Sequence, residues 1–148
     1  MPHFLLNHSQ TGPLIDLYVA LSTPRLQLLQ AGNPQAVLPQ PKLVKALVDT
    51  GASHTSIDLS LVQDLNLIPS GVASLITPTT GNVPCDALCY DVAVHIPFPT
   101  GILWTQGLWV VTGLELHHQG FDVLLGRDIL ANGMLIYDGV HQQFTLSL

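Results

Sequence analysis

One octapeptide decides how the rest of this chain is interpreted: VDTGASHT, residues 48–55. A mostly apolar segment, 43–48, leads directly into Asp49, and a hydroxyl residue and a glycine follow. This order predicts a carboxylate at the end of a buried strand, on a tight turn. Gly51 allows that turn to adopt backbone conformations that a Cβ atom would disfavour. We therefore interpret Asp49 as one half of a catalytic carboxylate pair, of which the chain supplies only this half.

The composition indicates a globular chain with few surface charges. Of its 148 residues, 47% are hydrophobic and 9% are charged, and no apolar run approaches the ~20 residues of a membrane helix. We expect one domain, residues 1–148, with part of its apolar surface covered by a partner such as a second copy. With 10 Asp and Glu against 4 Lys and Arg, no basic patch favours nucleic acid as a partner.

The N-terminus and the cysteines indicate a cytoplasmic protein. Residues 1–7 lack the basic segment and the long apolar stretch of a secretory signal. Cys85 and Cys89 would lie on one face of a strand, about 13 Å apart along it, which is too far for a disulfide. Two reduced cysteines are what a cytoplasmic protein is expected to contain.

Alternating apolar residues and turn signals predict an all-β, barrel-like or sandwich-like domain. A turn-forming tetrapeptide, 79–82, predicts a hairpin between two of the strands. The predicted strands are 14–21, 42–48, 53–57, 72–77, 83–98, 103–112, 121–125, 134–137 and 143–148.

Two short helices and one long loop complete the predicted architecture. Asp58 is placed as the N-cap of a helix over 59–67, and a second helix is expected over 129–132. The four prolines of 22–41 predict a surface loop with one helical turn at 26–30.

A second motif lies far downstream of the first: VLLGRD, residues 123–128. This segment predicts an apolar strand that ends in glycine and is followed by a helix. In this order and spacing, the two motifs resemble the retropepsin-like aspartic proteases, the clan of retroviral proteases with cellular and bacterial relatives. The resemblance covers 14–148. It implies a closed, barrel-like domain with a flap hairpin that acts as a symmetric homodimer, and places Leu125, Gly126 and Arg127 beneath the catalytic loop.

The resemblance implies an aspartic endopeptidase that acts on peptide or protein substrates without a metal or cofactor. One carboxylate of the pair takes a proton from water, and the other protonates the scissile carbonyl oxygen. Two carboxyls ~3 Å apart cannot both ionise, so they share a proton and titrate as a unit. The chain contains a single Asp-Thr-Gly, so the second Asp49 has to come from another copy related by a two-fold axis.

By the same resemblance, the residues that follow Asp49 support the catalytic loop. Thr50 should form a hydrogen bond across the two-fold axis, for which its hydroxyl can both donate and accept. The carbonyl of Gly51 should face the substrate backbone. Ala52 and Ser53 complete the loop.

The resemblance also assigns a flap and a dimer sheet. The flap, which would close over bound peptide and exclude water, consists of Thr79, Thr80, Gly81 and Asn82. The dimer sheet of the family is built from chain termini. The side chains expected to pack against the partner are those of Phe144, Leu146 and Leu148.

The chain departs from the viral pattern at two places. Ser53 stands where viral members usually have a second Asp that helps to hold the arginine of the later helix, so the ion-pair partner of Arg127 is open. The helix over 59–67 is an insertion relative to the minimal viral form.

Several side chains have simpler interpretations. Asp49 could be a turn carboxylate that caps its own backbone. His54 is interpreted as a solvated or structural residue, and the pair at 117–118 as loop histidines rather than a metal site. On a regular strand Trp104 and Trp109 would face opposite sides, with both in packing roles or with one at a cleft or interface.

Two other functional hypotheses remain open at this point. One is a peptide-binding or dimerisation module of the same fold with little or no turnover. The other is a monomer that dimerises only when substrate binds.

Overall fold

The computed structural model of the chain describes residues 1–76 and 81–148, in which strands dominate. The strands are β1 (His3–Asn7), β2 (Leu14–Leu21), β3 (Lys42–Val48), β4 (Ser56–Asp58), β5 (Pro69–Leu75), β6 (Cys85–Pro97), β7 (Leu103–Leu114), β8 (Val123–Leu125), β9 (Met134–Asp138) and β10 (Gln143–Ser147). The helices are α1 (Thr23–Gly32), α2 (Leu59–Asp64) and α3 (Arg127–Leu130), with a 3-10 turn at His117–Gln119. The mostly-β class predicted from the sequence is confirmed.

Six strands close into a barrel in the order β2, β3, β8, β4, β7, β6, because β6 also pairs with β2. β3 runs antiparallel to β2 and parallel to β8, and β4 lies between β8 and β7. β5 extends the sheet beyond β6. Alternate residues fill the interior, since successive side chains of a strand point to opposite faces. Leu17, Val92 and Leu125 are fully buried there.

The prediction of a loop over 22–41 is wrong for its first half, where α1 forms a ten-residue helix. Pro24 lies in the first turn of α1, where a backbone N–H has no partner within the helix, so the proline is tolerated. The other three prolines fall between α1 and β3, where the chain is irregular as predicted.

Other predicted elements are present with shifted ends. α2 begins after Asp58 as expected but ends at Asp64, and α3 begins two residues before the predicted 129. The return strand predicted over 53–57 is β4, Ser56–Asp58. None of the helices formed by residues 1–76 and 81–148 is long and apolar enough to cross a membrane.

The two ends of the chain form a separate three-stranded sheet in the order β1, β10, β9. The side chains of Phe144, Leu146 and Leu148 are buried in the core of their own chain, so the expectation that they pack against a partner is wrong. The period of two in β10 turns them inward and leaves the opposite face outward. Two apolar residues on that outward face, Leu5 and Ile136, are at least half exposed.

The tryptophans of β7 lie on the same face, contrary to the prediction for a regular strand. Trp104 pairs with Ile96 and Trp109 with Val92, and both partners are fully buried. A β-bulge between these pairs adds one residue to β7 and reverses the alternation beyond it. Gly107 lies in this bulge. A Cβ atom there would clash with the hydroxyl of Thr23 in α1, so glycine lets the helix approach without moving that side chain.

Candidate active site

The loop of residues 49–55, which the sequence predicts to be the catalytic loop and which keeps that name below, begins where β3 ends. Its first residue, Asp49, is half-buried, and its backbone N–H donates to the carbonyl of Leu125 in β8 over 3.0 Å. The backbone N–H of Gly51 donates to Asp49 Oδ1 over 2.7 Å. This second bond fixes the direction of the carboxylate, and it is also the bond of an ordinary aspartate turn. The interpretation of Asp49 therefore depends on what surrounds the loop.

The segment after β8 passes directly beneath the loop. Arg127 N donates to the carbonyl of Ala52 over 2.9 Å, and Gly126 N donates to Thr55 Oγ1 over 3.1 Å. A Cβ atom on Gly126 would lie 2.5 Å from the carbonyl carbon of His54. Only glycine fits between the two segments, so the two sequence motifs meet in space at this position.

Asp128, which the sequence analysis did not single out, joins three parts of the site. Its Oδ2 accepts from Thr55 N over 3.0 Å and from Trp109 Nε1 over 2.9 Å. Its Oδ1 accepts from Thr55 Oγ1 over 2.8 Å and from Ile129 N over 3.0 Å. The carboxylate therefore connects the catalytic loop, β7 and α3. Only the aspartate after Gly-Arg, in the first turn of a short helix, could have drawn attention to this position.

A cleft of about 330 Å³ opens beside Asp49. The catalytic loop forms one wall, including Gly51, Ala52, Ser53 and His54. The remaining lining is Ser56 and the apolar side chains of Leu75, Ile76, Leu114 and Leu124. The cleft thus places a carboxylate next to apolar surface, as a site for apolar peptide side chains would require.

Three other predicted site residues, Thr50, Gly81 and Asn82, are exposed and do not belong to the cleft lining. Thr50 is exposed at the tip of the catalytic loop. Gly81 and Asn82 are exposed in a turn, and Gly81 has a φ of 61°. The other two flap positions, Thr79 and Thr80, lie outside the described residues.

The side chain of Arg127 is exposed and forms no ion pair with any described residue. Its backbone, rather than its guanidinium, contacts the catalytic loop. In residues 1–76 and 81–148 no group of three or more His, Cys, Asp or Glu side chains could hold a metal ion. Cys85 and Cys89 are free thiols, as their spacing predicts.

Asp58, the predicted N-cap of α2, has a second set of contacts. It accepts from the N–H and the hydroxyl of Ser60 and, across the fold, from Leu116 N over 2.7 Å and His117 N over 2.9 Å. His117 Nδ1 lies 3.2 Å from the same carboxylate. Burial disfavours its ionised form, but these hydrogen bonds outweigh burial and hold the pKa of Asp58 well below its usual range.

A closed β-barrel with one Asp-Thr-Gly loop above a Leu-Leu-Gly segment defines the retropepsin-like class that the two motifs predict. A model of the retroviral aspartyl protease family matches residues 35–148. The match covers most of the chain and both motifs, so the chain belongs to this family, which supports aspartic protease activity at the level of the family. Residues 1–34 lie outside the match. No curated protein matches the chain.

Proposed function

We propose that this chain is an aspartic endopeptidase whose site is completed by a second copy. The observation that supports this most directly is the position of Asp49, at the mouth of an apolar cleft, on a loop bonded to the 125–128 segment. A single Asp-Thr-Gly in the chain leaves the partner copy as the source of the second carboxylate.

In the proposed reaction, water lies between the two Asp49 carboxyls. The ionised carboxyl removes a proton from the water while the water oxygen forms a bond to the scissile carbonyl carbon. The protonated carboxyl gives its proton to the carbonyl oxygen, which produces a neutral diol. The C–N bond then breaks as the protonated carboxyl passes its proton to the leaving nitrogen and a diol hydroxyl gives its proton to the ionised carboxyl. The products are an amine and a carboxylic acid, and the pair again holds one shared proton.

Other residues have supporting roles in this proposal. Thr50, exposed at the loop tip, would form hydrogen bonds with the partner loop, and the Gly51 carbonyl would bind substrate backbone. The hairpin that contains Gly81 and Asn82 would close over the peptide. The apolar walls of the cleft would hold apolar side chains beside the scissile bond.

The second copy is proposed to contact the outward face of the terminal sheet. Phe144 and Leu146 are used within the chain, so the face left for a partner is the one that displays Leu5 and Ile136. A two-fold contact would bring the same apolar strip of each copy together and remove it from water. A cytoplasmic location is part of the same proposal and stays a prediction.

A subunit-mixing experiment tests the shared site. Wild-type chain is mixed with Asp49→Asn at constant total concentration, re-equilibrated, and assayed on a mixed peptide library between about pH 3 and 8. If both carboxyls are needed, an equal mixture retains about one quarter of the wild-type rate, because only dimers of two wild-type chains are active. Independent chains would retain about one half.

The matched control for mixing is Asp16→Asn, which removes a surface carboxylate paired with Lys45. Mixtures with this variant should keep the full rate. Absence of cleavage by the wild-type chain at every pH would favour a peptide-binding module instead. Sedimentation with and without a statine-like inhibitor separates a constitutive dimer from one that forms when substrate binds.

A further inference from the structure

We propose that Asp128 is the positioning residue of the catalytic loop, acting through Thr55 and Trp109. The inference rests on the proposed function, because it explains how one chain holds its Asp49 in place for the partner. Asp128 lies outside the cleft lining and touches no reacting group. Its effect on the reaction would be indirect, through the end of the loop that starts at Asp49.

Both oxygens of the Asp128 carboxylate are occupied by hydrogen-bond donors. Each carboxylate oxygen accepts two hydrogen bonds, and Thr55 supplies one donor to each oxygen. The two bonds to Thr55 fix both its backbone and its side chain. Thr55 is completely buried, so these donors have no access to water as a substitute partner.

Thr55 also connects Asp128 to Gly126, in the segment beneath the catalytic loop. Its hydroxyl donates to Asp128 Oδ1 and accepts from Gly126 N, which uses its single proton and one lone pair. Asp49 N is in turn bonded to the residue before Gly126, Leu125. Both ends of the catalytic loop are therefore attached to the same short segment, 125–128, and Asp128 holds the end that is distant from Asp49.

Trp109 connects this arrangement to the wall of the barrel. Its indole N–H reaches Asp128 because the bulge at Gly107 turns it to the inner face of β7. Trp104 on the same face also packs against the core, but its indole forms no hydrogen bond with a described residue. The chain thus supplies its own matched control: two half-buried tryptophans on one strand, only one of them bonded to Asp128.

Asp128→Asn is the direct test. An amide replaces one carboxylate oxygen by an NH2 group, which meets the N–H groups of Thr55 and Trp109 in one orientation and the N–H of Ile129 in the other. We expect kcat to fall about tenfold to a hundredfold with little change in KM, after normalisation to active sites by inhibitor titration. Trp109→Phe should lower kcat about threefold to tenfold, and Trp104→Phe should leave it unchanged.

Conservative variants of Thr55 separate positioning from a loss of folded protein. Thr55→Val removes the hydroxyl that bonds Asp128 and Gly126, and kcat per titrated active site should fall as it does in Asp128→Asn. Thr55→Ser keeps that hydroxyl and should restore kcat. A loss of folded protein lowers the concentration of titrated sites and leaves kcat per site unchanged.

Hydrogen exchange of residues 49–55 tests the inference without any assay of activity. Exchange should quicken in Asp128→Asn and Trp109→Phe but not in Trp104→Phe. Unchanged exchange in Asp128→Asn, an undiminished kcat in Thr55→Val, or equal effects of the two tryptophan variants on kcat would each overturn the role of Asp128. A wild-type chain without peptidase activity would instead contradict the proposed function, and the exchange result would still decide the inference.

Discussion

Two aspartates at strand ends, Asp49 after β3 and Asp58 at the end of β4, have opposite surroundings. Asp58 is about 1% exposed and accepts hydrogen bonds from Ser60, Leu116 and His117. Asp49 is half-buried and accepts one hydrogen bond from the described residues, from Gly51. The difference supports distinct roles in the proposed reaction. A carboxylate saturated with donors holds elements together, whereas one with unused lone pairs beside a cleft is available for proton transfer.

Asp49→Asn gives the largest expected effect. Peptidase activity should fall by about 10³-fold or more, because the amide can neither accept nor supply the shared proton. The free energy of unfolding should stay within about 0.5 kcal/mol of the wild-type value, since an Asn oxygen can still accept from Gly51. Peptide cleavage and urea denaturation, measured on one preparation, check both statements. Full activity, or a large fall in the free energy of unfolding, would contradict the difference in role between Asp49 and Asp58.

Asp58→Asn should show the reverse pattern. The NH2 group would face either the N–H of Ser60 or those of Leu116 and His117, depending on its orientation, and we expect the unfolding free energy to fall by about 2–4 kcal/mol. The rate per titrated active site should be unchanged, because Asp58 does not line the cleft. Asp64→Asn in the same helix is the control: its surface pair with Lys42 should contribute less than about 1 kcal/mol. Denaturant unfolding measures all three proteins.

The lowered pKa of Asp58 also predicts how stability depends on pH. Because the folded pKa lies below the unfolded value of about 4, the stabilisation by Asp58 is fully present above pH 4. It is lost as the pH falls from about 4 toward the folded pKa. Melting temperatures between pH 2 and 7 should therefore drop steeply below pH 4 in the wild-type chain and less steeply in Asp58→Asn. Parallel curves would show that Asp58 does not dominate acid unfolding.

His117→Ala should have the smallest effect in this series. The imidazole is about half exposed, and the backbone N–H of residue 117 still donates to Asp58 after the substitution. We expect the free energy of unfolding to fall by less than about 1 kcal/mol, measured by thermal unfolding at pH 6. His118→Ala is matched to it, since that ring contacts His117 in a tilted arrangement but has no bond to Asp58. If His117→Ala lowers the free energy of unfolding as much as Asp58→Asn does, the side-chain contact stabilises the turn rather than the backbone donors.

The sequence predicted the barrel strands and the catalytic loop well, because both depend on local patterns. Alternation along β2 and β3 identifies strands directly, and Asp58 before a helical stripe identifies an N-cap. The bonds of Asp58 to the 116–117 turn could not be predicted, since they join residues 58 and 59 positions apart. The same holds for Asp128 and Thr55, which are 73 positions apart.

The wrong predictions have specific physical causes. The prolines of 22–41 predict a loop, yet Pro24 lies in the first turn of α1, where proline is tolerated. The apolar alternation of β10 is visible in the sequence, but alternation does not tell whether that face covers its own core or a partner. Only the packing of Phe144 and Leu146 against the barrel decides this.

The bulge in β7 determines which face of the sheet the side chains beyond it occupy. Trp104 and Trp109 are separated by an odd number of positions and share a face only because one residue is extra. On a regular strand of the same length, Trp109 would lie on the other face of the sheet and away from Asp128. Deleting one residue between the two tryptophans would leave them four positions apart, so both would keep their face without a bulge. The extra residue is therefore compatible with this part of the fold only as a bulge.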